Sequence, residues 1–200
     1  FNANKEWYLA VKAEHEAFIN RLIPALAKVD PEVDGLTAKD CIFRIYRDVR
    51  FSPNKEPYKT HIGAYMVKGG KKSPRSGYYV HVEPGNSLLA GGIWCPEPSL
   101  LKALRKDVYD NIDEFTGIIR DKEFQKYYVL DGEKLKTVPA PFPKDFPEGE
   151  LLKYKSYTIE NKVPDSFFEG EDAIERIVKR LLVMQPFHRF LNYTVEETWR

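Results

Sequence analysis

Gly77-Tyr78-Tyr79-Val80-His81-Val82-Glu83-Pro84-Gly85-Asn86-Ser87-Leu88-Leu89-Ala90-Gly91-Gly92-Ile93-Trp94 is the stretch on which the fold class turns. Tyr78 to Glu83 is rich in aromatic and β-branched residues, and Leu88 to Trp94 is apolar. Pro84-Gly85-Asn86-Ser87 between them is a strong turn signal, so the segment predicts a β-hairpin. Side chains alternate across a strand, which places Tyr78, Val80 and Val82 on one face and Tyr79, His81 and Glu83 on the other. Glycine weakens a strand interior, so Gly91-Gly92 marks a bulge, a close backbone approach or a pocket wall; the pocket is the reading favoured here.

Working outward, Cys41 to Arg47 has strand composition, and a proline-bearing loop from Phe51 to Lys59 follows it. Arg44 and Tyr46 then lie opposite Phe43 and Ile45. Ile62 to Lys68 and a Gly/Lys/Ser turn region from Gly69 to Ser76 lead into the hairpin. Upstream, Tyr8, Val11, His15, Phe18, Leu22 and Leu26 recur at helical spacing, with Pro24 expected to kink or split that helix and Asp30-Pro31 to end it. Downstream, Leu101, Leu104, Val108, Ile112 and Phe115 form an apolar stripe behind Pro98, and Phe124 to Tyr128 suggests a short helix. Val138 to Pro147 reads as an extended crossing loop and Tyr154 to Glu160 as a returning strand. Ile174, Ile177, Val178, Leu181 and Leu182 mark a further helix; Pro186 ends it and opens a last one. Strands grouped between helices predict an α+β fold: an antiparallel, or mixed, sheet from the 41–95 region, packed by N-terminal and C-terminal helices. No repeat or linker divides the chain, so residues 1–200 are expected to form a single domain.

At 200 residues, 42% hydrophobic and 30% charged, the chain is neither disordered nor short of core. Thirty-one basic against thirty acidic residues leave a formal charge of +1, which excludes a wholly basic nucleic-acid coat and an acidic tail. The two cysteines, Cys41 and Cys95, provide neither a disulfide framework nor a C-x-x-C motif. Buried, reduced thiols in a cytoplasmic protein are expected, and no apolar run is long enough to span a membrane. Phe1 stands in helix-like sequence where Met would begin a chain, so an upstream segment is expected.

The charge is unevenly spread. Between Arg44 and His81, nine basic side chains face only Asp48 and Glu56, interleaved with Tyr46, Phe51, Tyr58, Tyr65, Tyr78 and Tyr79. Arginine grips carboxylate or phosphate bidentately, lysine adds a point charge, and aromatic rings supply walls. This composition suits a cleft for a small anionic, phosphate-bearing ligand, with Arg47, Arg50, Lys55, Tyr58, Lys59 and Tyr79 as ligand-binding candidates. Lys68, Lys71, Lys72 and Arg75 at the glycine-rich tip read instead as solvated charges. Asp48, Glu83 and His81 are the candidates for acid–base work, Glu83 sharing a strand face with His81. His61 adds a ligand if the strands pair in the right register, but no metal-ligand spacing is present and no metal site is expected. His15 and His188 belong to helix-like patterns and read as packing or surface residues. Phosphate-loop, nucleophile-elbow and dinucleotide motifs are absent from the sequence.

Two other readings use the same residues. One is a nucleic-acid-binding module with the Gly69–Ser76 loop as a backbone clamp; the other is a structural or interaction protein whose Arg47–Asp48–Arg50 cluster is an internal salt-bridge network. Residues 145–175 hold nine acids against three lysines, so whether this acidic block neutralises the basic one is a question for the structure. Catalysis, ligand, cofactor and oligomeric state are left open by these residues.

Phe43 to Thr60, with its Arg47-Asp48-Val49-Arg50-Phe51-Ser52-Pro53-Asn54-Lys55-Glu56-Pro57-Tyr58-Lys59 core, resembles the signature of the family called domain of unknown function 2461. Gly77 to Gly85, Gly91-Gly92-Ile93-Trp94, Pro98 and Arg105 resemble its second block, and Met184-Gln185-Pro186 with Phe190-Leu191 its C-terminal pattern. The resemblance implies a single-domain α+β protein of bacteria and some fungi, and carries no catalytic assignment. Its motif falls on Arg47, Asp48, Arg50, Lys55, Pro57, Tyr58 and Lys59, plus Tyr79, Glu83 and Trp94. His81 is not part of it.

Overall fold

The computed structural model describes residues 4–50, 53 and 55–198. Phe1, and Phe51, Ser52 and Asn54 of the basic loop, lie outside the described residues. The fold is α+β, with five strands in an antiparallel sheet among the described residues. The strands are β1 (Ile62–Met66), β2 (Gly77–Val82), β3 (Leu88–Ile93), β4 (Val129–Asp131) and β5 (Tyr157–Lys162), in the spatial order β1-β2-β3-β5-β4. The sheet therefore extends beyond the 41–95 region. β4 pairs antiparallel with β5, Leu130 opposite Ile159. Among the described residues no helix is long and apolar enough to cross a membrane.

The chain forms two compact units. One comprises Phe1–Ser73, Tyr79–Leu89 and Lys162–Lys179; the other comprises Pro74–Tyr78, Ala90–Asn161 and Arg180–Arg200. In the first, helix α1 (Lys5–Ala27) buries His15, Ile19, Leu22, Ile23 and Leu26 at three- and four-residue steps. Pro24 does not split it: a proline in the last turn removes one backbone hydrogen bond, and the helix runs unbroken to Ala27. The one-turn helix α2 (Ala38–Cys41) is set by Asp40, whose carboxylate accepts from the Thr37 amide at 2.9 Å and the Thr37 hydroxyl at 2.7 Å. Asn20 Oδ1 accepts from the Ala38 amide at 2.9 Å and ties α1 to this turn.

Cys41 to Arg47 is not a continuous strand. It touches β1 through one bridge, Ile42 to Ala64, then folds back so that Tyr46 bridges Tyr58. The reason is visible at Pro57, which accepts from the Arg47 amide at 2.9 Å but has no amide to return a ladder bond.

The second unit holds α3 (Pro98–Asp110), α4 (Ile112–Ile119), α5 (Lys122–Tyr127), α6 (Gly149–Leu152) and α8 (Gln185–Thr198), while α7 (Ala173–Leu182) begins in the first unit. Its core is aromatic: Phe115 lies 5.9 Å from Tyr157, 6.0 Å from Phe187 and 5.1 Å from Phe190 between ring centres. Ser76 and Asn192 join buried backbone to α8, the Asn192 amide accepting from Ser76 N at 2.7 Å and donating to Ser76 O at 3.0 Å. His188 is buried beside them, 2.6 Å from the Ser76 hydroxyl.

Gly91 and Gly92 are explained by close approach, not by a pocket. A Cβ on Gly91 would stand 2.5 Å from His188 Cε1, and one on Gly92 would stand 2.1 Å from the Tyr157 carbonyl oxygen. Cys41 is buried as expected, but Cys95 is exposed, because the chain leaves β3 there with a φ of 48°.

Candidate functional site

The pleat of β2 does what its sequence predicts. Tyr78 and Val80 are buried, while Tyr79, His81 and Glu83 emerge half-buried on the opposite face. Tyr79 Oη lies 3.1 Å from His81 Nδ1, and His81 Nε2 lies 3.3 Å from Glu83 Oε2. Thus a hydroxyl, an imidazole and a carboxylate run along one strand in hydrogen-bond contact. His61, just before β1, stacks on His81 with ring centres 4.1 Å apart and an interplanar angle of 26°. Gly63 allows the neighbouring ring to lie low, since a Cβ there would meet Tyr79 Oη at 2.5 Å.

Glu83 is held from three sides. The Thr60 hydroxyl donates to Oε1, Asn86 Nδ2 donates to Oε2 at 2.7 Å, and His81 completes the set. Those hydrogen bonds, Thr60 first, bring its carboxyl down to about 2. Burial, helped by Glu83, pushes the Tyr79 phenol up to about 12. Burial and then the neighbouring His81 and Lys59 lower His61.

Cations and rings border this cluster. Lys59 Nζ sits 5.5 Å from the centre of the Phe43 ring, which meets Tyr79 edge-on at 6.1 Å. Burial, then the positive charge of Arg44, lowers Lys59. Among the described residues Lys59 has no acidic partner. Arg47 is held at 3.8 Å from Glu56.

The other sequence candidates stay in the loop. Arg50 grips Asp48 bidentately, at 2.9 Å and 2.6 Å, and this pairing brings the Asp48 carboxyl to about 2. Lys55 donates to the Val49 carbonyl at 2.9 Å, and Tyr58 packs on Tyr46 at 5.5 Å. The glycine-rich tip is less solvated than its composition suggested. Lys71 donates to the Lys39 carbonyl at 2.6 Å and Arg75 pairs with Glu196 at 2.7 Å, because the turn folds back onto helical segments.

Several acids of the acidic block are engaged elsewhere: Asp165 on Gly85 and Ser87, Asp172 on Arg176, Glu148 on Arg120 and Glu150 on Lys153. Thr60 and Asn86 escaped sequence reasoning. Asn86 had a signal, being a turn residue three places from Glu83, whereas Thr60 had none.

An α+β chain with a histidine–carboxylate cluster beside cations is thus the class that fold and site define. The chain belongs to the family described as conserved hypothetical protein (DUF2461), whose model matches residues 1–190. Searches of curated proteins and of solved structures found no match.

Proposed function

We propose that the face formed by Phe43, Arg44, Arg47, Lys59 and Tyr79 binds a small anionic ligand carrying phosphate or carboxylate. One observation carries this reading: the half-buried Lys59 ammonium lies against an aromatic ring and near Arg44, with no acid facing it among the described residues. A partly desolvated cation without a counter-charge is costly, and a bound anion removes that cost. Support also comes from the acidic block, where Asp165 turns to the Gly85 amide.

Calorimetric titration with orthophosphate, a sugar phosphate and a dicarboxylate tests it. Saturable binding of one of them is expected, weakened about 10-fold or more in Lys59→Ala and Arg47→Ala while the melting temperature holds. Failure of all three to bind overturns the reading. Tight binding of an oligonucleotide that collapses steeply with salt overturns it in favour of a nucleic-acid module. An Arg47→Ala protein that unfolds in place of losing a ligand overturns it in favour of a structural network.

A further inference from the structure

The geometry points to a divalent transition-metal site formed by His61, His81 and Glu83, which goes beyond anion binding and does not depend on it. Each of the three offers one ligand atom, and these atoms lie within 4.8 Å of one another. Two imidazoles and one carboxylate are the donor set of zinc- and iron-class centres with open positions. Hard cations prefer oxygen cages, so two imidazoles turn the site away from calcium and magnesium.

Distance supports the assignment. Bonds of about 2.1 Å at a tetrahedral ion space its ligands about 3.4 Å apart. His81 Nε2 and Glu83 Oε2 already stand 3.3 Å apart. His61, stacked beside His81, offers a ligand atom within 4.8 Å of the other two, and its ring turns out of the stack to direct that nitrogen at the same ion.

The surroundings are those of a pre-oriented centre. A metal-bound histidine donates its remaining N–H to an outer partner, and ligating carboxylates are themselves hydrogen-bonded. Tyr79 Oη stands at His81 Nδ1, while Thr60 and Asn86 fix the two oxygens of Glu83. With the ring proton on Nε2, Tyr79 donates to Nδ1 and Nε2–H donates to Glu83. When metal binds, the proton moves to Nδ1, Tyr79 becomes the acceptor, and Nε2 is left free to ligate.

Charge also fits. Two neutral imidazoles and one carboxylate leave a bound dication with a net positive charge, to which Arg47 and Lys59 add. Open coordination positions there suit a small anion or hydroxide.

The full chain, freed of metal with a chelator, is titrated in phosphate-free buffer with zinc by calorimetry and with cobalt(II) by visible absorption. One equivalent is expected, with the ligand-field bands of a low-coordinate cobalt centre and no competition from magnesium or calcium. His81→Ala and His61→Asn are expected to weaken binding at least about 10-fold, and Tyr79→Phe by a smaller factor through the lost outer partner. Tyr79→Phe keeps the ring packing, so it reads the site even where His81→Ala fails to fold. Absence of cobalt bands, undiminished binding in the doubly substituted His61→Asn, His81→Ala protein, or equal competition by magnesium overturns the assignment. Metal and phosphate are titrated separately, so either reading fails without the other.

Discussion

The Asp165 carboxylate accepts from the Gly85 amide through both oxygens, at 2.9 Å and 3.1 Å, across a separation of 80 residues. The Ser87 hydroxyl adds a second donor at 3.2 Å. A residue from the acidic block therefore serves as a clamp on the β2–β3 turn, the same turn whose Asn86 holds Glu83. Asp165→Ala is expected to cost about 1.5–3 kcal/mol, the range for hydrogen bonds to a charged group. Urea unfolding measures it, and a midpoint equal to the parent's shows that the turn holds itself.

Gly92 and Gly117 should respond to alanine in opposite ways. Gly92 has a φ of 115°, and its Cβ would fall 2.1 Å from the Tyr157 oxygen and 2.8 Å from Thr158 Cα, both backbone atoms. Gly92→Ala should separate β3 from β5 and cost upwards of about 3 kcal/mol. Gly117 lies inside α4 with open space around it, so Gly117→Ala should stabilise by up to about 1 kcal/mol. Thermal melts of the two proteins decide both; a tolerated Gly92→Ala means the two strands are not in contact there.

Cys41 and Cys95 should differ in reactivity and in their bearing on pH. Burial raises the Cys41 thiol from its ordinary 9.0 to about 11. The folded protein thus holds this proton more tightly than the unfolded chain does. The resulting stability is complete below about pH 9 and is lost as the pH rises toward 11. Burial also raises the Tyr128 and Tyr157 phenols, which act in the same direction from a higher starting point, near 10. Urea midpoints at pH 8 to 10.5 should therefore fall, and Cys41→Ser should remove the earliest part of the decline. A disulfide reagent at pH 8 should modify exposed Cys95 at once and Cys41 only after unfolding. Equal rates for both thiols would count against a closed site around Cys41.

What could be read from residues alone was local. The hairpin was legible because Pro84 to Ser87 and the alternation of Tyr78 to Val82 lie in one short run, and the same period put Tyr79, His81 and Glu83 on a shared face. The arrival of His61 was not legible, since it depends on how β1 meets β2, and pairing register is a property of two segments. β4 has three residues and takes its strand conformation from β5. Strand-like composition misled at Cys41 to Arg47, where β-branched and aromatic residues stand opposite a proline that cannot extend a ladder. Arg50 beside Asp48 shows the converse: two charges two residues apart found each other, and a candidate ligand-binding arginine became half of a surface pair.

The place of β5 between β3 and β4 has a consequence during synthesis. β3 is complete once Ile93 has left the ribosome, but its neighbour begins only at Tyr157. Until then one side of the ladder offers unpaired amides and carbonyls beside Leu89 and Ile93, both buried in the finished protein. A chain cut short before Tyr157 is therefore a template for other chains to add to, and slow translation between α3 and α6 prolongs that exposure.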